Sequence, residues 1–366
     1  MIVKRKVDHI EICLSNFVEH KNIKTLFNDV KFIHSSLPEI DFDDIDLSVV
    51  FLGHKLNAPI IISAMTGGTE KAYKINSILA SLSEKFGIGM GVGSQRIAIE
   101  KPELSYTFSV VRKMAPNTFI IGNIGAVQLR LNYGVEEVKK AVEMIDANAL
   151  AIHFNPLQEV MQHEGEPFYS NVLEKIKLIS SSINVPLIAK ETGAGFSREV
   201  ALKLHSAGFS AIDIAGAGGT SWAAVEYYRS LALGNERHAH LARVFWDWGI
   251  PTAASLCEVR CAVNLPIIAS GGIRSGLDAA KALALGADCV GMALPLLRVV
   301  VESGFEGAYN FIKQFIDELK VSMFLVGVRK IKELQHIPLI ITGALKDWLE
   351  TRGFLQEFYN KRVGNI

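Results

Sequence analysis

Residues 266–297 read PIIASGGIRSGLDAAKALALGADCVGMALPLL. The run Pro266 to Ala269 is apolar, opens on proline and is too short for a typical helix, so it reads as a buried parallel strand. Ser270-Gly271-Gly272 ends that strand, Gly276 to Leu285 reads as a helix with Ala and Leu on one face, and Gly286 stops it. Asp288 to Ala293 reads as the next strand. Two glycines at the carboxyl end of a strand let backbone N–H groups crowd an anion, and the N-terminus of the following helix adds a favourable dipole. In a (β/α)8 barrel, phosphate sits most often on the loops after strands 7 and 8. This stretch therefore predicts the last two strands of an α/β (β/α)8 TIM barrel with an anion-binding rim, and it requires six strands upstream.

Those six are found from Pro59 onward, in a rhythm of apolar run, small or polar terminus, and amphipathic helix. The full set of strand candidates is Ile60 to Ala64, Ile88 to Val92, Phe119 to Ile124, Ala149 to His153, Leu187 to Lys190, Ala211 to Ile214, Ile267 to Ser270 and Cys289 to Met292. Alternation of strands with helices argues for parallel pairing through right-handed crossovers. The intervening helices are predicted over Lys71 to Phe86, Val135 to Ala147, Tyr169 to Ser182 and Ser197 to Ala207. Residues 221–250 lie between strands six and seven, are too long for one crossover, and hold three of the four tryptophans. They read as a helix followed by a mobile loop over the site. Residues 1–58 read as an extension lying on the barrel, helical over Phe17 to Phe27 and with a short strand within Ile45 to Leu52, while 59–366 form the barrel with added C-terminal helices over 300–353. The whole is expected to be one structural domain.

Composition narrows the function classes. Lys+Arg and Asp+Glu both number 38, so the zero net charge gives no electrostatic case for nucleic acid or a membrane surface, and any anion site must come from local placement. No apolar run approaches the ~20 residues that span a bilayer. MIVKRKVDHIEIC has no signal-type apolar core followed by a small-residue cleavage site. Cys13, Cys257, Cys261 and Cys289 form no CxxC pair; Cys257 and Cys261 share a helix face, and Cys289 reads as a small buried hydrophobe. A reduced, cytoplasmic enzyme is the expectation.

Chemistry in this fold belongs at the carboxyl ends of the strands. The successive ends read Met65-Thr66-Gly67-Gly68, Gly93-Ser94-Gln95-Arg96, Asn123-Ile124-Gly125, His153-Phe154-Asn155, Lys190-Glu191-Thr192-Gly193 and Gly216-Ala217-Gly218-Gly219-Thr220. Polar side chains embedded in glycine at every terminus point to a site rather than to scattered solvation. Lys190 emerges from the barrel wall, where an ammonium is costly unless it meets an anion or does chemistry; a salt bridge with Glu191 is the plainer reading. Arg96 suits bidentate phosphate recognition or a surface ion pair. His153 and Asn155 alternate around Phe154 and so share one side of a strand end, although a core histidine is the competing reading. Gln158 and Glu159 are ordinary for a loop, but a single carboxylate holds Mg²⁺ when a substrate diphosphate supplies other ligands. Arg5 and Lys6 read by themselves as a solvated basic tail.

Taken together, RKVDH (5–9), AMTGG (64–68), GVGSQR (91–96), HFNPLQE (153–159), KETGAG (190–195), AGAGGTSW (215–222) and ASGGIRSG (269–276) resemble the type 2 isopentenyl-diphosphate isomerases, FMN-dependent enzymes of isoprenoid synthesis. The match runs in order from residue 5 to about 297 with no departure at the motif positions. The resemblance implies interconversion of isopentenyl and dimethylallyl diphosphate without net redox change, on a flavin kept reduced by NADPH or otherwise, with Mg²⁺. It places the FMN phosphate against Thr220, Gly271, Gly272, Ala293 and Leu294, and the isoalloxazine against Ala64, Met65, Thr66, Ser94, Asn123 and Lys190. It places the substrate diphosphate on Arg5, Lys6, His9, Ser94, Arg96, Asn155 and Gln158, Mg²⁺ on Glu159, and Gln158 and His153 beside the allylic carbons, with Gln158, His153 and Lys190 as the catalytic set. It also implies a homotetramer or homo-octamer. An FMN-dependent oxidoreductase on the same barrel is the alternative, and it would use His153 as proton acceptor.

Overall fold

The computed structural model describes residues 2–363. Eight parallel strands close into a barrel: β1 Ile60–Ile62, β2 Gly89–Gly91, β3 Ile120–Gly125, β4 Ala149–Phe154, β5 Leu187–Glu191, β6 Ala211–Asp213, β7 Ile267–Ser270 and β8 Cys289–Met292. β8 pairs with β1 through Val290–Ile60, Gly291–Ile61 and Met292–Ile62, which closes the ring. Each strand lies within or beside its predicted run. The runs were legible because strands covered on both faces carry near-continuous apolar sequence; Ile60, Ile61 and Ile62, for example, are all buried.

The amino end of the barrel is plugged. A hairpin, Val49–Phe51 paired with His54–Leu56, turns through Leu52 and Gly53 at φ 47° and 83°, the positive pair that a tight hairpin turn requires. Its Phe51 meets Phe119 edge-to-face with centroids 5.7 Å apart, and Leu56 joins Ile61, Ile121 and Ile268 inside the barrel. The open rim is therefore the carboxyl end, where the loops stand.

The extension differs from expectation. Residues Ile2–Ser15 form helix α1, so Arg5 and Lys6 sit on a packed helix instead of a solvated tail. Ile10 and Cys13 are buried on its inner face, and Arg298 donates to the Cys13 and Asn16 carbonyls at its C-terminus, where a cation suits the dipole. The predicted helix over Phe17 to Phe27 does not form. Its backbone is spent on the barrel: His20 N donates to Gly219 O at 2.9 Å, Ser221 N to Val18 O at 2.8 Å, and Ala253 N to Thr25 O at 2.9 Å. Val18 and Phe27 are buried by that route. Farther on, Val30–Phe32 pairs antiparallel with Leu339–Ile341, a contact between the two ends of the chain that local pattern does not announce.

Residues 221–250 also differ. They hold two helices, α2 Trp222–Ala232 and α3 Glu236–Val244, where a mobile loop was expected after the first. Gly234 at φ 67° ends one, and the Asn235 side chain caps the other by accepting from His238 N, so the Gly-Asn pair is a helix stop followed by a start. Helix α4, Leu294–Phe324, follows β8 and breaks at Gly304, where φ is 60°. All four cysteines are buried, Cys257 and Cys261 on one helix and Cys289 in β8. Among the described residues no helix is long and apolar enough to cross a membrane.

Candidate active site

One cavity of about 260 Å³ opens at the carboxyl rim. Its lining includes the strand-end residues that the resemblance assigns to the flavin and to catalysis: Ala64, Met65, Thr66 and Ser94 from the β1 and β2 ends, Asn123, His153 and Lys190 from β3 to β5, and Thr220, Gly271, Gly272, Ala293 and Leu294 from β6 to β8, whereas Gln95, Glu191 and Gly216 to Gly219 do not line it. Arg5, Lys6 and His9 of α1 reach it from above, and Arg96, Asn155, Gln158 and Glu159 complete the side above β2 to β4. In an eight-strand ring, β2–β4 and β6–β8 lie on opposite walls, so Arg96 and Asn155 face the glycine loops across the cavity, while α1 bridges the rim with Lys6 against the Ser94 loop and His9 against Glu226 after β6.

The glycine wall is two loops in backbone contact. A Cβ on Gly219 would lie 2.3 Å from Gly272 N, and one on Gly271 would lie 2.2 Å from Gly216 O. Gly271 and Gly272 also sit at φ 101° and 75°, conformations that side-chain-bearing residues avoid. Beside them α4 begins at Leu294, which puts the N-terminus of that helix at the rim. The buried Ser63 hydroxyl, next to Gly291 on this wall, has no hydrogen-bond partner. Backbone donors, a helix terminus and an orphaned hydroxyl in one concave surface fit the phosphate of a flavin mononucleotide.

Lys190 is buried, and its ammonium donates to Asp213 Oδ2 at 2.7 Å. The expected partner Glu191 does not meet it, because successive residues of a strand face opposite ways. Glu191 instead accepts from the N–H groups of Thr192, Gly193, Ala194 and Gly195 at 2.5–3.2 Å. Burial nevertheless pushes its carboxyl up to about 7. His153 Nδ1 pairs with Asn123 Oδ1 at 2.7 Å. Burial, followed by the charges of Lys190 and Lys6, holds its imidazole down to about 4, so it is neutral at pH 7. Buried Gln95 props Asn123 by accepting from its N–H at 2.8 Å.

On helix α1, Lys6 donates to Ser94 O at 2.9 Å, and burial, then neighbouring Arg5, pushes its ammonium down to about 7. His9 pairs with the fully buried Glu226 at 2.8 Å and packs edge-to-face on Trp222, centroids 5.1 Å apart. Burial would raise the Glu226 carboxyl, but His9 and Arg229 outweigh it and hold it low. Arg229 also bonds Glu164 and lies 3.5 Å from Asp8, tying α1, α2 and the 162–166 loop together. Arg96 faces the cavity and is at the same time paired, with Glu100 at 2.8 Å and Glu166 at 2.6 Å. Asn155 Nδ2 donates to Gln158 Oε1 and Glu159 Oε1, both at 3.0 Å. Glu159 is a single carboxylate: among the described residues no group of three or more His, Cys, Asp or Glu is placed to hold a metal. Of the tryptophans in 221–250, only Trp222 lines the cavity; Trp246 is buried under Glu19 O, and Trp248 is exposed.

Sequence reasoning missed Asp213, Ser270, Glu226 and Arg229. The signal for Asp213 was a lone charge between Ile212 and Ile214, both wholly buried. Glu226 and Arg229 stand three apart on a helix of otherwise apolar inner face, a spacing that reads as an ordinary surface pair.

The family model of FMN-dependent dehydrogenases matches residues 127–340. Isopentenyl-diphosphate delta-isomerase of Pyrococcus furiosus is 55% identical over 99% of this chain and 92% of its own length. The protein of the same name from Methanosarcina barkeri is 48% identical over 96% of this chain and 95% of its own. Among solved structures, a flavocytochrome b2 double variant with sulfite bound has a TM-score of 0.68 at 19% identity, covering 93% of this chain and 84% of that one. A mandelate oxidase variant with a monooxide FMN adduct has 0.63 at 15%, covering 93% and 100%. At those identities the structural likeness is one of fold. The full-length sequence identity is of another order, and the chain belongs to the FMN-dependent, type 2 isopentenyl-diphosphate delta-isomerase family.

Proposed function

We propose that this chain interconverts isopentenyl diphosphate and dimethylallyl diphosphate by a 1,3-proton shift, requiring FMN, Mg²⁺ and NADPH as the reductant that readies the flavin. The supporting observation is a single cavity lined both by the glycine loops that end β6 and β7 and by the cationic side chains Arg5, Lys6, His9 and Arg96, in a chain 55% identical to a named isomerase. Two phosphate-bearing molecules meeting in one cavity need two such anion-receptive sets of groups.

In this reading the FMN phosphate rests on Thr220, Gly271, Gly272, Ala293 and Leu294, and the ring on Ala64, Met65, Thr66, Ser94, Asn123 and Lys190. Reduced FMN, when bound, supplies the proton donor and acceptor that an unactivated alkene requires. Lys190 places positive charge at the ring edge, favouring the electron-rich form. Arg5, Lys6, His9, Arg96, Ser94, Asn155 and Gln158 hold the diphosphate, and Glu159 gives Mg²⁺ its protein ligand while the diphosphate and water complete the shell. Gln158 and His153 flank the reacting carbons. Neutral His153 orients without adding a positive charge beside a developing carbocation, and Trp222 keeps water out. The resemblance also implies a homotetramer or homo-octamer, which light scattering measures.

The family model and the oxidase-like fold favour a second reading, net oxidation of a small substrate on the same flavin. That chemistry needs a base over the substrate carbon, and a His153 held near 4 is a weak one. The test is to incubate the purified protein anaerobically with FMN, NADPH, Mg²⁺ and isopentenyl diphosphate. Dimethylallyl diphosphate appears, and omission of FMN or of Mg²⁺ abolishes it; no isomer under the complete conditions refutes the reading.

A further inference from the structure

Three successive strand ends, β5, β6 and β7, carry Lys190, Asp213 and Ser270. Lys190 and Asp213 are register partners, and Asp213 is paired on its other side with Ile268, two residues before Ser270. The Asp213 side chain spans the gap with both oxygens: Oδ2 accepts from Lys190 at 2.7 Å, and Oδ1 accepts from the Ser270 hydroxyl at 2.5 Å. Asp213 is 4% exposed, between two isoleucines with no exposure at all. A carboxylate in such a place persists only when both oxygens are satisfied and its charge is balanced. Lys190 and Ser270 line the cavity, whereas Asp213 is not among the lining residues, so it reaches the cavity contents only through its two partners.

We infer that Asp213, oriented by Ser270, is a positioning residue that pins the Lys190 ammonium at the cavity edge and compensates its charge, so that a bound flavin meets an ion pair rather than a free cation. The alternative neighbour does not do this: His153, register partner of Lys190 on β4, is bonded to Asn123. A free ammonium against the ring would stabilise the reduced, anionic flavin more strongly. A paired one moderates the effect and stops the lysine stem from swinging. Ser270 tunes the pair, since its hydroxyl draws charge from the carboxylate. The inference rests on the proposed placement of FMN against Lys190.

The measurement is the ratio of reduced to oxidised FMN in the reconstituted protein, equilibrated anaerobically with a reference dye at pH 7, in the absence of isoprenoid. It is made on the unaltered chain and on Lys190→Gln, Asp213→Asn and Ser270→Ala. Asp213→Asn raises the ratio, on the order of a hundredfold for a unit charge about 6 Å away at an effective dielectric of about 20, while Lys190→Gln lowers it by a similar factor. Ser270→Ala strengthens the carboxylate and lowers the ratio by roughly twofold, and it carries the test if Asp213→Asn does not fold. A purely structural Asp213 would alter thermal stability and leave the ratio unmoved. Intact FMN binding with Asp213→Asn and Ser270→Ala both at the unaltered ratio overturns the pairing alone, as does an Asp213→Asn ratio that falls with Lys190→Gln. Failure of the unaltered chain to take up FMN overturns the functional reading and this inference with it.

Discussion

The Lys6 ammonium donates a hydrogen bond to the Ser94 carbonyl at 2.9 Å, so a cation carried on the N-terminal helix rests on the loop that ends β2. Burial and Arg5 hold that ammonium down to about 7. Above pH 7 the ligand-free site has therefore lost the charge, and a diphosphate must bring a proton back to Lys6 as it binds. The affinity for inorganic diphosphate should fall about tenfold per pH unit above 7, with one proton taken up. Calorimetry in two buffers of different ionisation enthalpy reads that uptake, and Lys6→Met should abolish it. A pH-independent affinity between 7 and 9 would contradict the assignment.

His153 and Glu191 oppose one another in the pH dependence of stability. The folded-state imidazole, near 4, lies below its usual 6.5, so its contribution is present above pH 6.5 and is lost as pH falls through 4. The folded-state Glu191 carboxyl, near 7, lies above its usual 4.5, so its contribution is present below pH 4.5 and is lost as pH rises through 7. Between pH 4.5 and 6.5 the two slopes cancel in part, and each variant should unmask the other. Relative to the unaltered chain, His153→Gln should lose stability as pH rises from 5 to 7, and Glu191→Gln should gain it. Urea midpoints at the two pH values decide the matter; parallel shifts in both variants would refute it.

A methyl group at Gly272 would lie 2.4 Å from Thr25 Cγ2 and 2.6 Å from Gly218 O, on a backbone with φ 75°. Gly272→Ala should cost about 2–4 kcal/mol of stability. It should also weaken FMN binding at least about tenfold, because the loop that presents its N–H groups must move. Fluorescence titration with FMN checks this, and an unchanged Kd would remove the glycine wall from the phosphate site.

Glu159 accepts from Asn155 Nδ2 and, through its other oxygen, from Glu166 N at 2.7 Å, which fixes the carboxylate at the cavity wall. Glu159→Gln should raise the Mg²⁺ concentration needed for half-maximal turnover by about tenfold or more and leave FMN affinity unchanged. Gln158→Ala, by contrast, should depress kcat by roughly a hundredfold at an unaltered Mg²⁺ requirement if the amide relays a proton. A Gln158→Ala enzyme that keeps most of its kcat removes that role.

The barrel was legible because burial on both faces writes strands such as Ile60–Ile62 and Ile267–Ser270 as apolar runs, and because the rim residues after them are polar or glycine. Most cavity residues stand within a few positions of a strand end, so the strand assignment carried them. What stayed hidden depends on closure. Lys190 meets Asp213 only when β5 and β6 pair, and Asp213 looks in sequence like one stray charge. The 17–26 segment has helix-like apolar spacing, yet its N–H and C=O groups are claimed by the 216–221 loop and by Ala253. The pairing of Val30–Phe32 with Leu339–Ile341 joins the two ends of the chain, and no local pattern encodes it.

The central claim is that this cavity moves a double bond without consuming reducing equivalents. It is tested most directly by counting NADPH oxidised per molecule of dimethylallyl diphosphate formed, anaerobically, with FMN and Mg²⁺ present. The account predicts many product molecules for each NADPH, the reductant being used once to ready the flavin. One NADPH consumed per turnover, or flavin bleaching in proportion to substrate with no isomer formed, would contradict it.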